Sequence, residues 1–210
     1  MRKLASWLVV LLCVTAAPVQ LMAQQGPGDA PLTPDQVMND PDMPFLGAKN
    51  ADVTIAEFMD YNCPYCRKSH PALKQLLATD RRVRVLYKEW PIFGPVSEYA
   101  AEQALASRWQ GKYEVAHDAL MTAPRRYTST DEVRAALKAA GLDLVRLDAD
   151  AAAHSVEIHR LLARNNQQAE TIGLQGTPAW IVGPFLIPGG LDFAQLQEAV
   201  AEARRKDALK

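Results

Sequence analysis

Cysteine is almost missing from this chain: 210 residues carry three, Cys13, Cys63 and Cys66. So few thiols exclude a disulfide framework, and the core has to form by burial alone. Long apolar runs are missing as well. The most hydrophobic stretch, Leu4 to Val14, is dominated by apolar residues but is too short to span a bilayer. Dense basic stripes are absent too, since Arg81-Arg82-Val83-Arg84 is short and reads as a solvated turn entering a strand. Nucleic acid is therefore excluded as a partner. There is no internal repeat and no low-complexity block.

The N-terminus has the three parts of an export signal. Met1-Arg2-Lys3 is followed by the apolar run and then by small residues. Cleavage after Ala17 or after Ala23 fits, and Ala23 fits better because polar Gln24-Gln25-Gly26-Pro27-Gly28 begins there. A lipid anchor at Cys13 fits poorly, because the preceding Leu12 is not small. Removing the signal peptide, residues 1–23, takes away Arg2 and Lys3 and moves the formal net charge from −1 to about −3. About 187 residues remain, enough for one domain or a small fold with a sizeable insertion. Residues 24–44, rich in Pro, Gly and Asp, read as a largely irregular arm with one short helix near Pro34 to Met38.

Two cysteines survive export, and their placement is informative. Cys63-Pro64-Tyr65-Cys66 follows the β-branched, apolar run Val53-Thr54-Ile55-Ala56-Glu57-Phe58, so a strand delivers the motif and a helix starts on it. With Cys63 as N-cap and Pro64 as first helical residue, the missing proline N–H costs nothing. Two thiols three residues apart then share one helical face and can form a disulfide. The orphan N–H groups and the helix dipole favour the Cys63 thiolate. Cys63 is thus the candidate nucleophile and Cys66 the resolving thiol. As a structural staple, so short a loop would stabilise little.

The helix carrying the motif runs to about Thr79, with Leu73, Leu76 and Leu77 apolar and Pro71 inside it. Arg82 to Glu89 alternates as a second strand. Then the pattern turns helical for residues 97–172: Ser97 to Arg108, Tyr113 to Thr122, a helix opened by a capping box at Ser129-Thr130-Asp131-Glu132, and one or two more before Gly173. Strands return at Ala179 to Val182 and Phe185 to Ile187, and a last helix follows Asp192. The order βαβ, helical block, ββα predicts an α/β sheet in which the helices are an insertion.

This order, the Cys63-Pro64-Tyr65-Cys66 motif at a helix start, Pro71 five residues after Cys66 and Gly176-Thr177-Pro178 before the third strand resemble the thioredoxin superfamily, specifically its DsbA-like branch. The likeness covers about residues 45–207. It implies a thioredoxin fold with a helical insertion and a periplasmic thiol-disulfide oxidoreductase that forms or isomerises disulfides in exported proteins. It also implies that Pro178 is cis, and that Thr177 and Pro178, with Pro64 and Tyr65, shape the groove for a substrate backbone. Glu57, six residues before Cys63, takes the place of a buried acidic residue that moves protons during exchange, and Lys88 on the second strand is a candidate partner for it. The implied partners are reduced or unfolded exported proteins and a membrane redox protein that resets the dithiol. No cofactor and no resident metal are implied. The short N-terminal arm favours a monomer.

Two rival readings start from the same residues. Cys63, Cys66 and His70 are spaced i, i+3, i+7 and so offer two sulfurs and an imidazole to copper or zinc, but no fourth ligand lies nearby. A binding module without turnover is the other, and keeping both cysteines argues against it. His117, His154 and His159 read as ordinary helix residues, and Trp90, Trp109 and Trp180 as core or groove aromatics.

Overall fold

The computed structural model describes residues 34–208; the stretch expected to be a signal peptide and the first part of the expected arm lie outside them. The elements follow the expected order. Among the described residues, α1 (Pro34–Met38) and β1 (Phe45–Gly47) come first, then β2 (Val53–Met59), α2 (Pro64–Thr79) and β3 (Val83–Glu89). The helical block comprises α3 (Pro95–Ala106), a 3₁₀ turn (Ser107–Gln110), α4 (Tyr113–Met121), α5 (Thr130–Ala139), α6 (Leu144–Ala153) and α7 (Ser155–Thr171). Then come β4 (Ala179–Val182), β5 (Phe185–Pro188) and α8 (Phe193–Asp207). The sheet order is β1-β3-β2-β4-β5, so strands from both halves share one sheet and the helices are inserted between them.

The central strands are buried along almost their whole length, as their continuous apolar, β-branched character requires. They pair in parallel, with Glu57 opposite Tyr87, Phe58 opposite Lys88 and Met59 opposite Glu89. Side chains alternate between faces along each strand. One face therefore carries Glu57, Tyr87 and Glu89, and the other carries Phe58 and Lys88.

That alternation corrects one expectation. Lys88 cannot reach Glu57, because it projects from the opposite face; its Nζ instead bonds Asp40 Oδ2 at 2.9 Å, with both side chains buried. Asp40 also receives Arg164 of α7. The described residues 37–44 are thus part of the packed domain, with Val37 and Met43 in the core and Asp40 holding a buried ammonium. The three-residue β1 was not foreseen. It runs antiparallel to β3 and ends at Gly47, whose φ of 99° and a Val83 carbonyl only 2.4 Å from the position of a Cβ admit no other residue without strain.

Two helix starts differ in detail. Ser129 accepts from the Glu132 amide, but the Glu132 carboxylate returns to the Thr128 amide at 2.8 Å, one residue earlier than a capping box would place it. The full box is at α8, where Asp192 and Gln195 satisfy each other's backbone amides. Pro71 sits inside α2, which is helical from Pro64 through Thr79.

Candidate active site

Cys63 is the N-cap of α2, in extended conformation, with Pro64 in the first turn. Its amide is held by the Asp60 carbonyl at 3.0 Å and its carbonyl accepts the Arg67 amide at 3.2 Å. Both thiols are free and buried, while Pro64 and Tyr65 between them face solvent. Across the site, Cys63 Sγ contacts the Thr177 carbonyl at 3.1 Å, and the Thr177–Pro178 bond is cis. Strand β4 brings them there by pairing with β2, while Pro178 is tied to the β5 end by the Gly189 amide at 2.9 Å. Cys63, Cys66, Thr177 and Pro178 thus converge, and Pro64 and Tyr65 form the exposed rim.

The two thiols are electrically unequal. Cys63 is lowered from the ordinary thiol value to about 6, chiefly by a hydrogen bond from Cys66, against the cost of burial, with Thr177 and the Cys66 and Tyr65 amides adding to the effect. Cys66 is pushed far up by burial, by its bond to Cys63 and by the charge of Glu57. Glu57 lies on β2 behind them, is 2% exposed, and is raised to about 8 by burial first and then by the charges of Cys63 and Glu89. A thiol that ionises easily, a partner thiol that keeps its proton and a buried carboxyl raised toward neutrality therefore occupy one small volume.

Several residues that hold this volume together carried no signal in the sequence. Asp60, buried just before the motif, accepts the Asn62 amide on one oxygen at 2.6 Å and the Ile92 and Phe93 amides on the other at 2.7 and 3.0 Å. It fixes the loop after β2 to the loop after β3. Asn62 forms a two-way amide clamp with the Tyr127 backbone, at 2.8 and 3.2 Å, joining the motif loop to the α4–α5 connection. Arg67 is folded back onto the Tyr61 carbonyl at 2.7 Å and over the Tyr127 ring rather than extended into water.

The histidines also fall differently from expectation. His70 is buried, with Nε2 3.0 Å from Asp118 Oδ1 and its ring against His117. It is directed away from a shared ligand set with Cys63 and Cys66, and no group of three His, Cys, Asp or Glu among the described residues is placed to hold a metal ion. His117 is no ordinary helix residue: fully buried, it bonds the Tyr61 hydroxyl through Nδ1 at 3.0 Å and packs on Tyr87 and Tyr113. Burial holds it well below the usual imidazole value. Beside this cluster Tyr113 donates to the buried carboxylate of Glu89.

The profile of the DSBA-like thioredoxin domain matches residues 54–201, from the strand before the motif into the last helix. The chain belongs to the DsbA-like thioredoxin family. Its fold agrees with solved members: it is 41% identical to a thioredoxin-like oxidoreductase from Silicibacter pomeroyi, with a TM-score of 0.78 over 83% of this chain and 99% of that one. It is also 26% identical to the thiol-disulfide exchange protein alpha-DsbA2 from Wolbachia pipientis, with a TM-score of 0.75 over 80% and 90% of the two chains. Among curated relatives, a Na(+)/H(+) antiporter NhaA 3 from Salinispora tropica is 29% identical over 96% of this chain. The chain spans only 31% of that relative's length. No helix among the described residues is long and apolar enough to cross a membrane. The DsbA-like match rests on the segment that carries Cys63, Cys66, Thr177 and Pro178.

Proposed function

We propose that the protein is an exported, periplasmic thiol-disulfide oxidoreductase that introduces or reshuffles disulfides in secreted proteins through Cys63 and Cys66. The observation that carries this reading is the inequality of the two thiols beside Thr177–Pro178: one stabilised as thiolate, the other held as thiol. Starting from a Cys63–Cys66 disulfide, a substrate thiolate attacks Cys63 Sγ. The Cys63–Cys66 bond breaks, and the leaving Cys66 thiolate takes a proton from Glu57. A second substrate thiolate then attacks the substrate sulfur of the mixed disulfide and releases Cys63 as thiolate. The substrate loses two electrons and two protons; the electrons reduce the enzyme disulfide, one proton restores Glu57 after Glu57 has protonated Cys66, and the other stays in solvent.

A Cys63 value about one pH unit below neutral favours the dithiol form and makes the couple roughly 30 mV more oxidising at pH 7. Exposed Pro64 and Tyr65 and the Thr177–Pro178 turn form the groove for an extended substrate backbone. The signal peptide at residues 1–23 supports export, and a membrane redox partner restores the disulfide after each turnover. The domain acts as a monomer without cofactor.

The test is exchange with a reduced, unfolded secreted protein. Cys63→Ser abolishes transfer, whereas Cys66→Ser accumulates mixed disulfides visible on non-reducing gels. Undiminished transfer by the Cys63 variant would sink the reading.

A further inference from the structure

Glu89 is a second buried carboxyl, and the exchange scheme does not use it. It ends β3 with no exposed surface. Tyr113 of α4 donates to its Oε1, Oε2 has no hydrogen-bond partner among the described residues, and Asn165 of α7 bonds its backbone carbonyl at 3.0 Å. In the parallel register Glu57 lies opposite Tyr87, and Glu89 follows two residues later on the same face. The two carboxyls are diagonal neighbours in the buried interior.

We propose that Glu89 is a positioning residue for proton transfer at Cys66: held ionised by the Tyr113 hydroxyl, it keeps the proton on its neighbour Glu57. This rests on the exchange reading above. Two carboxylates sharing a low-dielectric site resist ionising together, so whichever is better hydrogen-bonded ionises first and raises the other. Tyr113 decides that order in favour of Glu89, because its hydroxyl donates to Glu89 Oε1 and so lowers a carboxyl that burial raises. The macroscopic steps belong to the pair. Other groups face the two carboxyls from every side. Cys63 and Cys66 approach from α2, Tyr61 from the motif loop and Tyr87 from β3, while Arg108 of the 3₁₀ turn acts on Glu89, and Lys88 acts on it only through the sheet from the opposite face. The ring of His117 closes the cluster, with His70, Lys74 and Asp118 behind it.

The consequence is that Glu57 stays a proton donor at neutral pH, ready when Cys66 leaves as thiolate. The decisive measurement is the pH profile of Cys63–Cys66 ring closure when the reduced protein reacts with excess glutathione disulfide. Glu89→Gln is expected to lower the Glu57 midpoint by roughly one pH unit. Tyr113→Phe, which removes the bond that favours ionised Glu89, lowers it as well. In a Glu57→Gln background neither change has a midpoint left to move. Variant profiles superimposable on the native one overturn the proposal. Carbon-13 titration of the Glu carboxyls in the unmodified protein guards against misfolded variants: Glu89 must lose its proton before Glu57, and the reverse order overturns the proposal. Failure of the native protein to exchange with glutathione disulfide at all would instead reject the exchange reading itself.

Discussion

Cys63 owes its low value first to the hydrogen bond from Cys66, ahead of the backbone amides at the start of α2. Cys66→Ala should therefore raise the Cys63 midpoint clearly above about 6, read by the ultraviolet absorbance of the thiolate; an unchanged midpoint would assign the effect to Thr177 and the helix terminus instead. The same residues control how the reduced protein's stability varies with pH. Cys63 is depressed on folding, so its contribution is complete above the unfolded thiol value and is lost as pH falls through about 6. Glu57 is raised, so the native state carries a proton the unfolded chain has shed, and stability is lost as pH rises toward about 8. Between about pH 6 and pH 8 the two oppose each other. Glu57→Gln removes the losing side, and the variant should gain on the native protein across that window, by at most about tenfold in the folding equilibrium per pH unit. Denaturant titrations at several pH values check it; a gap that stays constant would contradict the buried placement of Glu57.

At the scale of elements, the Lys88–Asp40 pair joins β3 to the segment that precedes β1, with both side chains buried. Asp40→Ala leaves an ammonium in the interior without its partner and should cost about 3–5 kcal/mol, whereas Asp40→Ala with Lys88→Met should recover much of that loss. Denaturant midpoints of the three proteins decide it. The sequence makes some of this legible and not the rest, for definite reasons. Glu57 stands among Ile55, Ala56 and Phe58, and strands so continuously apolar are buried on both faces, so its burial could be read directly. Lys88 has the same kind of surroundings, yet its partner lies 48 residues away, and only the β2–β3 register shows which face it uses. β1 has three residues, too few to display a period. Cys63 and Cys66 were legible as a motif at a helix start, and Thr177 and Pro178 through the family resemblance that this motif carries. Asp60, Asn62, Glu89 and His117 were not, because what distinguishes them is long-range contact with segments that local pattern does not connect.

For the whole molecule, the described part of the N-terminal segment is structural. Val37 and Met43 are buried in the common core and Asp40 holds Lys88. A protein starting at residue 45 keeps every catalytic candidate but loses these contacts. It should unfold at a markedly lower denaturant concentration than one starting at residue 24, and equal midpoints would show the segment to be dispensable.

The sheet also has two outer margins. β1 offers three residues and stops at Gly47; β5 offers four and stops at Pro188, which has no amide to donate. A foreign strand finds little backbone to pair with on either side, even though Leu186 is exposed on β5. Borders this brief give an unfolded chain, or a second copy of the protein, little backbone to anneal to.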